Sequence, residues 1–143
     1  MVYSEIVPNL YVGDLPDSLQ FAADYNDGMI ICVLESRPIS EPRNATWIPI
    51  LSTQLGDGLV WADPVQLDTV KSVIDNALLN GRKVLVHCGA GIERSPLAVA
   101  WYLAKTQHTT IEDAYEIVRK GRSQTQVRTV WLKEKPNESL PSV

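Results

Sequence analysis

The chain has 143 residues, enough for one compact core and too few for two domains of ordinary size. Its formal net charge of -4 and pI near 5.1 argue against nucleic acid as the main partner, because phosphate-backbone binders carry a basic surface. At 45% hydrophobic and 21% charged residues the composition is that of a soluble globular protein, and no apolar run approaches the roughly 20 residues that span a bilayer.

Two cysteines, Cys32 and Cys88, are too few for a secreted disulfide scaffold, and the first residues show no basic-then-apolar leader pattern. The expectation is a cytoplasmic monomer with free thiols. Glu5-Ile6-Val7 and Leu10-Tyr11-Val12, split by Pro8-Asn9, predict a small hairpin ending at Gly13. Residues 16–26 carry Leu19, Phe21, Ala22 and Tyr25 at mixed helical spacing. Met29 to Leu34 is a continuous apolar run behind Asn26-Asp27-Gly28, the pattern of a strand buried on both faces. Cys32 within it reads as a small core residue.

Thr46 to Ile50 predicts another short strand, and Ser52 to Asp63 a loop containing Gly and Asp. Asp63-Pro64 marks a helix start, an N-cap followed by proline at the first helical position. Leu67, Val70, Ile74, Ala77 and Leu78 line one face of that helix, and Gly81 ends it. Lys83 to Val86 follows as a buried strand. Pro96 to Gln107 is apolar almost all round and predicts a buried helix. Thr110-Ile111-Glu112-Asp113 reads as a further helix start, with Asp113 in place of the usual Glu of a capping box. A last short helix is expected over Val127 to Glu134, and a flexible tail over 135–143. Strands alternating with helices give one α/β domain over residues 1–134, a central, mainly parallel sheet flanked by helices.

Between the Lys83–Val86 strand and the apolar helix the chain reads His87-Cys88-Gly89-Ala90-Gly91-Ile92-Glu93-Arg94-Ser95. A loop joining a strand's C-terminal end to a helix N-terminus turns successive N–H groups inward and makes an anion-binding nest. The helix dipole adds partial positive charge there, and Gly89 and Gly91 relieve the dihedral limits of such a loop. Cys88 opens the loop, so its sulfur lies at the base of the nest, where a thiolate is favoured. Arg94 offers a planar fork that grips two phosphate oxygens at once. Gly89, Ala90, Gly91, Ile92, Glu93 and Arg94 are therefore the candidate phosphate-binding residues, and Cys88 the candidate nucleophile.

The spacing His87-Cys88-x-x-Gly91-x-x-Arg94-Ser95 resembles the signature of the protein tyrosine phosphatase superfamily, and its flanks resemble the dual-specificity branch. Ile6-x-x-x-Leu10-Tyr11-x-Gly13 is similar to the opening of those enzymes. Gly28-Met29-Ile30 through Leu34 is similar to their first buried strand, and Ile117-Val118-Arg119-Lys120-x-Arg122 to the helix after their loop. The resemblance implies a cysteine phosphatase fold. It also implies hydrolysis of protein phosphotyrosine, with phosphoserine and phosphothreonine as further substrates, through a phosphocysteine intermediate and without cofactor or metal. No His/Cys cluster suitable for a metal is visible along the sequence.

In that family the general acid precedes the cysteine by about thirty residues. Asp57, 31 positions before Cys88 by its number, matches that place, with Asp63 as the alternative better explained as a helix cap. Ser95 has two readings, the N-cap of the following helix and a hydrogen bond to the Cys88 sulfur; in the family the latter eases breakdown of the intermediate. His87 orients the loop, and His108 reads as an exposed loop residue. Gln124 and Gln126 lie where some relatives position the hydrolytic water. Glu93 places a carboxylate inside the loop and is expected to disfavour highly phosphorylated substrates such as inositol lipids. The rival readings are a phosphatase-like module that binds phosphoproteins without cleaving them, and a phosphatase of RNA 5′-phosphates or phosphoinositides.

Overall fold

The computed structural model describes residues 2–42, 44–53 and 60–132. Its first strands, β1 (Ser4–Val7) and β2 (Leu10–Gly13), form an antiparallel hairpin. Asn9 takes the left-handed φ of 71° that the turn after Pro8 requires, a conformation asparagine tolerates. Helix α1 (Leu15–Asp24) begins on Asp14, whose carboxylate accepts from the Asp17 N–H at 2.7 Å while Asp17 accepts from the Asp14 N–H at 3.1 Å. These reciprocal bonds, with proline near the start, begin the helix one residue earlier than the apolar spacing over 16–26 suggests.

Then come β3 (Met29–Cys32), β4 (Thr46–Trp47), β5 (Leu51–Thr53), β6 (Val60–Ala62), α2 (Pro64–Leu79), β7 (Val84–His87), α3 (Arg94–Thr106) and α4 (Ile111–Gly121). The main sheet has the order β1-β2-β7-β3-β4, and every pairing except β1 with β2 is parallel. Strand β7 is last in the chain but central in the sheet. Its register aligns Gly13, Cys32 and His87 side by side at the carboxyl ends of β2, β3 and β7. In open α/β sheets ligands bind at such an edge.

Period-two alternation sorts the side chains. Leu10, Val12, Ile31, Val33, Val84 and Val86 face a large core with α2, α3 and α4, including Leu67, Ile74, Leu97, Leu103, Tyr115 and Val118. Tyr11, Ile30 and Leu85 face the other way, against Phe21 of α1, with Tyr3 and Tyr25 packed at that cluster's rim. Tyr3 meets Phe21 edge-on with ring centroids 5.2 Å apart.

Helix α2 starts as the sequence predicts, with the Asp63 carboxylate accepting from the Val65 N–H at 2.9 Å, and Gly81 follows its C-cap with φ of 75°. The segment read as a loop from Ser52 to Asp63 instead contains a two-stranded antiparallel ribbon, β5 with β6, around residues 54–59 outside the described set. Trp61 lies in that second strand. At α4, Thr110 caps the Asp113 N–H at 3.0 Å. The Asp113 carboxylate accepts from the Thr109 hydroxyl at 3.3 Å rather than from the Thr110 N–H, so the expected capping box is half formed. His108 is exposed with φ of 52°, the left-handed residue that terminates α3. The final helical turn is a 3₁₀ segment over Thr129–Leu132; the expected tail at 135–143 lies outside the described residues.

Candidate active site

The loop from Cys88 to Arg94 crosses the carboxyl edge of the sheet from β7 into α3. The Cys88 sulfur is 2% exposed as a residue and has two neighbours able to donate to it, the Gly91 N–H at 3.3 Å and the Ser95 hydroxyl at 3.2 Å. Ser95 is not the helix cap. Helix α3 begins at Arg94, its N-cap is Glu93, and no side chain bonds the first-turn amides. Those amides are left to whatever anion occupies the loop.

Three carbonyls of the loop are tied outward. Gly89 O accepts from the Leu15 N–H at 3.2 Å, Gly91 O from Arg122 Nε at 2.7 Å, and Ile92 O from the Gln126 N–H at 2.8 Å. In a trans peptide the C=O and the next N–H point in opposite directions, and the described chain has no cis peptide bonds. The N–H groups of Ala90, Ile92 and Glu93 are thereby turned toward the loop interior. The anion nest expected from sequence is thus built by fixing its outer face.

Arg122 is the principal clamp, and the sequence pattern gave no sign of that role. It is 4% exposed and, besides Gly91 O, donates to Ser4 Oγ at 2.9 Å and to Val12 O at 3.3 Å, with Asp17 at 3.8 Å as counter-ion. Burial raises the Asp17 carboxyl above its ordinary range, against the lowering effects of its bond from the Asp14 N–H and of the Arg122 charge. Gly91 has φ of 72°, and a Cβ there would lie 2.7 Å from Arg122 Nη2 and 2.8 Å from the Gly13 carbonyl. Only glycine fits.

Arg94 places its Nε against both carboxylate oxygens of Glu35, each at 3.0 Å, and among the described residues no hydrogen bond engages its terminal nitrogens, the pair suited to grip a phosphate. Glu35 was not singled out in sequence; it follows β3 in a loop 59 residues away. Glu93, expected to project its charge into the site, instead pairs with Arg128, whose Nε lies 2.9 Å from it. Its charge is compensated there, which removes the reason to expect it to repel a polyanionic substrate. Gln126 is held at the loop by its backbone and its side chain accepts from Arg128; Gln124 is exposed.

His87 is fully buried, with Nδ1 3.4 Å from the Cys88 carbonyl, consistent with orienting the loop. Burial pushes its pKa down, against the raising influence of the Cys88 carbonyl and Glu41. Contrary to the expectation that no His/Cys cluster exists, the fold brings Cys32, Glu41 and His87 together, their donor atoms all within 4.8 Å of one another. Asp57 lies outside the described residues. Asp63 has a capping role.

A sequence profile of the dual specificity phosphatase catalytic domain matches residues 19–135. The chain is 31% identical over 120 residues to the 123R protein of Invertebrate iridescent virus 6, a tyrosine phosphatase by name, covering 84% of this chain and 80% of that protein. It is 33% identical over 125 residues to human dual specificity protein phosphatase 9, covering 83% of this chain but only 31% of that longer protein. The solved structure of PTPMT1 in complex with PI(5)P superimposes with a TM-score of 0.73 at 20% identity, covering 91% of this chain and 89% of that one, a likeness of fold. No helix among the described residues is long and apolar enough to cross a membrane. Profile, relatives and fold agree with the geometry of the cysteine loop: the chain belongs to the dual specificity phosphatase family.

Proposed function

We propose that this domain hydrolyses phosphotyrosine, and phosphoserine or phosphothreonine, in proteins by a two-step displacement at Cys88. The observation that carries this reading is the Cys88 sulfur held between the Gly91 N–H and the Ser95 hydroxyl at the base of a loop whose Ala90, Ile92 and Glu93 amides face inward. In the first step the Cys88 thiolate attacks phosphorus and the bond to the leaving oxygen breaks. Asp57 supplies the proton to that oxygen, the role the family resemblance gives it. The amides from Gly89 to Arg94 and the Arg94 guanidinium bind the three non-bridging oxygens and stabilise the transition state.

In the second step water, deprotonated by Asp57 and placed by Gln124 or Gln126, attacks the phosphocysteine. The anchoring of Gln126 to the loop through Ile92 O favours Gln126 for that task. The Ser95 hydroxyl stabilises the departing thiolate. No cofactor enters the scheme, and the site of action is the cytoplasm, as the free thiols suggest.

The test is hydrolysis of p-nitrophenyl phosphate in EDTA by wild type and Cys88→Ser, with Asp57→Asn assayed on a phosphotyrosine peptide as well. Metal-independent activity that vanishes with Cys88→Ser, and a peptide rate that falls far more than the p-nitrophenyl rate with Asp57→Asn, are expected. A wild type that binds phosphopeptide without cleaving it replaces this reading with the binding module. A strong preference for phosphoinositide over phosphopeptide would instead replace the protein substrate.

A further inference from the structure

Behind the cysteine loop the register of the sheet creates a second polar cluster with no part in the displacement scheme. Cys32 and His87 are direct neighbours on β3 and β7, on the face opposite Val86 and Ile31. Neighbouring strands are about 4.7–4.9 Å apart, so their side chains stand abreast. Glu41, from the loop between β3 and β4, folds over that face with its side chain 3% exposed. The three donor atoms, Cys Sγ, a Glu oxygen and a His nitrogen, are mutually within 4.8 Å, and all three residues are buried.

The hydrogen bonding of this cluster is incomplete. With Nδ1–H of His87 donating to the Cys88 carbonyl, Nε2 carries a lone pair. It faces Glu41 Oε1 at 3.7 Å, and neither atom has a hydrogen-bond partner. Two buried acceptors confronting each other is an unfavourable arrangement that a shared cation relieves. The other half of each ligand is already oriented: Glu41 Oε2 is paired with Arg37, and His87 Nδ1 with the loop backbone. Metal-binding carboxylates and imidazoles are held in this way from behind.

We propose that Cys32, Glu41 and His87 form a buried site for one divalent cation of the zinc class, directly beneath the phosphate loop. A mixed sulfur, nitrogen and oxygen set selects such borderline-soft ions over magnesium or calcium. Bond lengths of about 2.0–2.3 Å and tetrahedral angles put ligand atoms roughly 3.3–3.8 Å apart, so the site closes by a movement of about 1 Å. Glu41 can supply that movement because it lies on a loop rather than in the sheet. Cys32 binds as the thiolate, its proton passing to solvent, and the open fourth position takes water. The inference does not rest on Cys88 being a nucleophile.

Co²⁺ titration of the full chain carrying Cys88→Ser tests this, because Cys32 is then the only thiol. A thiolate-to-cobalt charge-transfer band and four-coordinate ligand-field bands should grow to an endpoint at one equivalent and be displaced by Zn²⁺. Adding Cys32→Ser should abolish the charge-transfer band, and adding Glu41→Gln, nearly the same shape, should weaken binding at least tenfold. Circular dichroism checks that each variant is folded. Absence of the band in folded Cys88→Ser protein, or a band indifferent to Glu41→Gln, overturns the site. Neither result depends on phosphatase activity, so a failed phosphatase reading would be seen separately in the hydrolysis assay.

Discussion

Replacing Arg122 by lysine keeps the charge and removes the fork. The guanidinium reaches Gly91 O, Ser4 Oγ and Val12 O at once, at 2.7, 2.9 and 3.3 Å, with Asp17 beside it. A single ammonium can satisfy one side of that arrangement and leaves at least one buried acceptor without a partner. Each such loss costs about 1–3 kcal/mol, so Arg122→Lys should destabilise the domain by roughly 2–4 kcal/mol. Arg122→Met would also strand the Asp17 carboxylate. Breaking a buried pair costs about 3–5 kcal/mol, close to the whole stability of a marginal domain, which makes lysine the informative variant. Urea unfolding followed by fluorescence of the four tryptophans measures the difference. Because the clamp acts on the Gly91 carbonyl, kcat of the folded Lys variant should fall too. An Arg122→Lys protein within about 0.5 kcal/mol of wild type would refute the clamp, since surface substitutions commonly change stability by that much.

Gly91→Ala forces a Cβ against the Gly13 backbone at 2.8 Å and demands a left-handed φ; loss of activity together with a lowered melting temperature is expected, and a stable, active variant would contradict the packing described. Glu35→Gln loosens the hold on Arg94, and because that pair is 30% and 39% exposed the effect should stay near 1 kcal/mol, about fivefold in kcat/KM. A rise in kcat/KM would mean that Glu35 competes with substrate rather than orienting the arginine. His87, held neutral by burial, has a folded pKa below its unfolded value, so the unfolded chain binds its proton first. Its contribution is present above about pH 6.5 and is lost as pH falls toward 5, by at most about 1.4 kcal/mol per pH unit. Asp17, raised by burial, works in the opposite direction. The comparison of wild type with His87→Asn in urea at pH 5 and pH 7.5 isolates the histidine, and an equal acid loss in both would exclude it as the cause.

The cysteine loop was legible in the sequence because its parts are local. Strand, glycines, arginine and apolar helix succeed one another within a dozen residues, and each has its own physical signature. Asp63-Pro64 and Gly81 were legible for the same reason. Of the two readings of Ser95 the bond to the Cys88 sulfur matches the structure, whereas the cap, which serine before an apolar run also suggests, falls two residues earlier on Glu93, without a side-chain bond. What escaped was assembled by the sheet. Strand β7 enters between β2 and β3, and nothing in the order of residues says that Cys32 will lie beside His87 or that Glu35 will meet Arg94. The β5–β6 ribbon escaped because its strands are three residues each and its Gly- and Asp-rich connection dominates the local pattern.

The ties on the cysteine loop reach far along the chain. Ser95 Oγ lies 3.5 Å from the Gly13 carbonyl, 82 positions away, and Arg122 bonds Val12 and Ser4 across 110 and 118 positions. Contacts of this span must await closure of almost the entire chain, whose entropy is spent before they form. During synthesis the complete signature emerges with Ser95 while the clamp that shapes it is still untranslated. The pocket is therefore among the last features to appear, and recovery of catalysis after dilution from urea should follow the slowest step of global folding rather than the formation of β7 and α3.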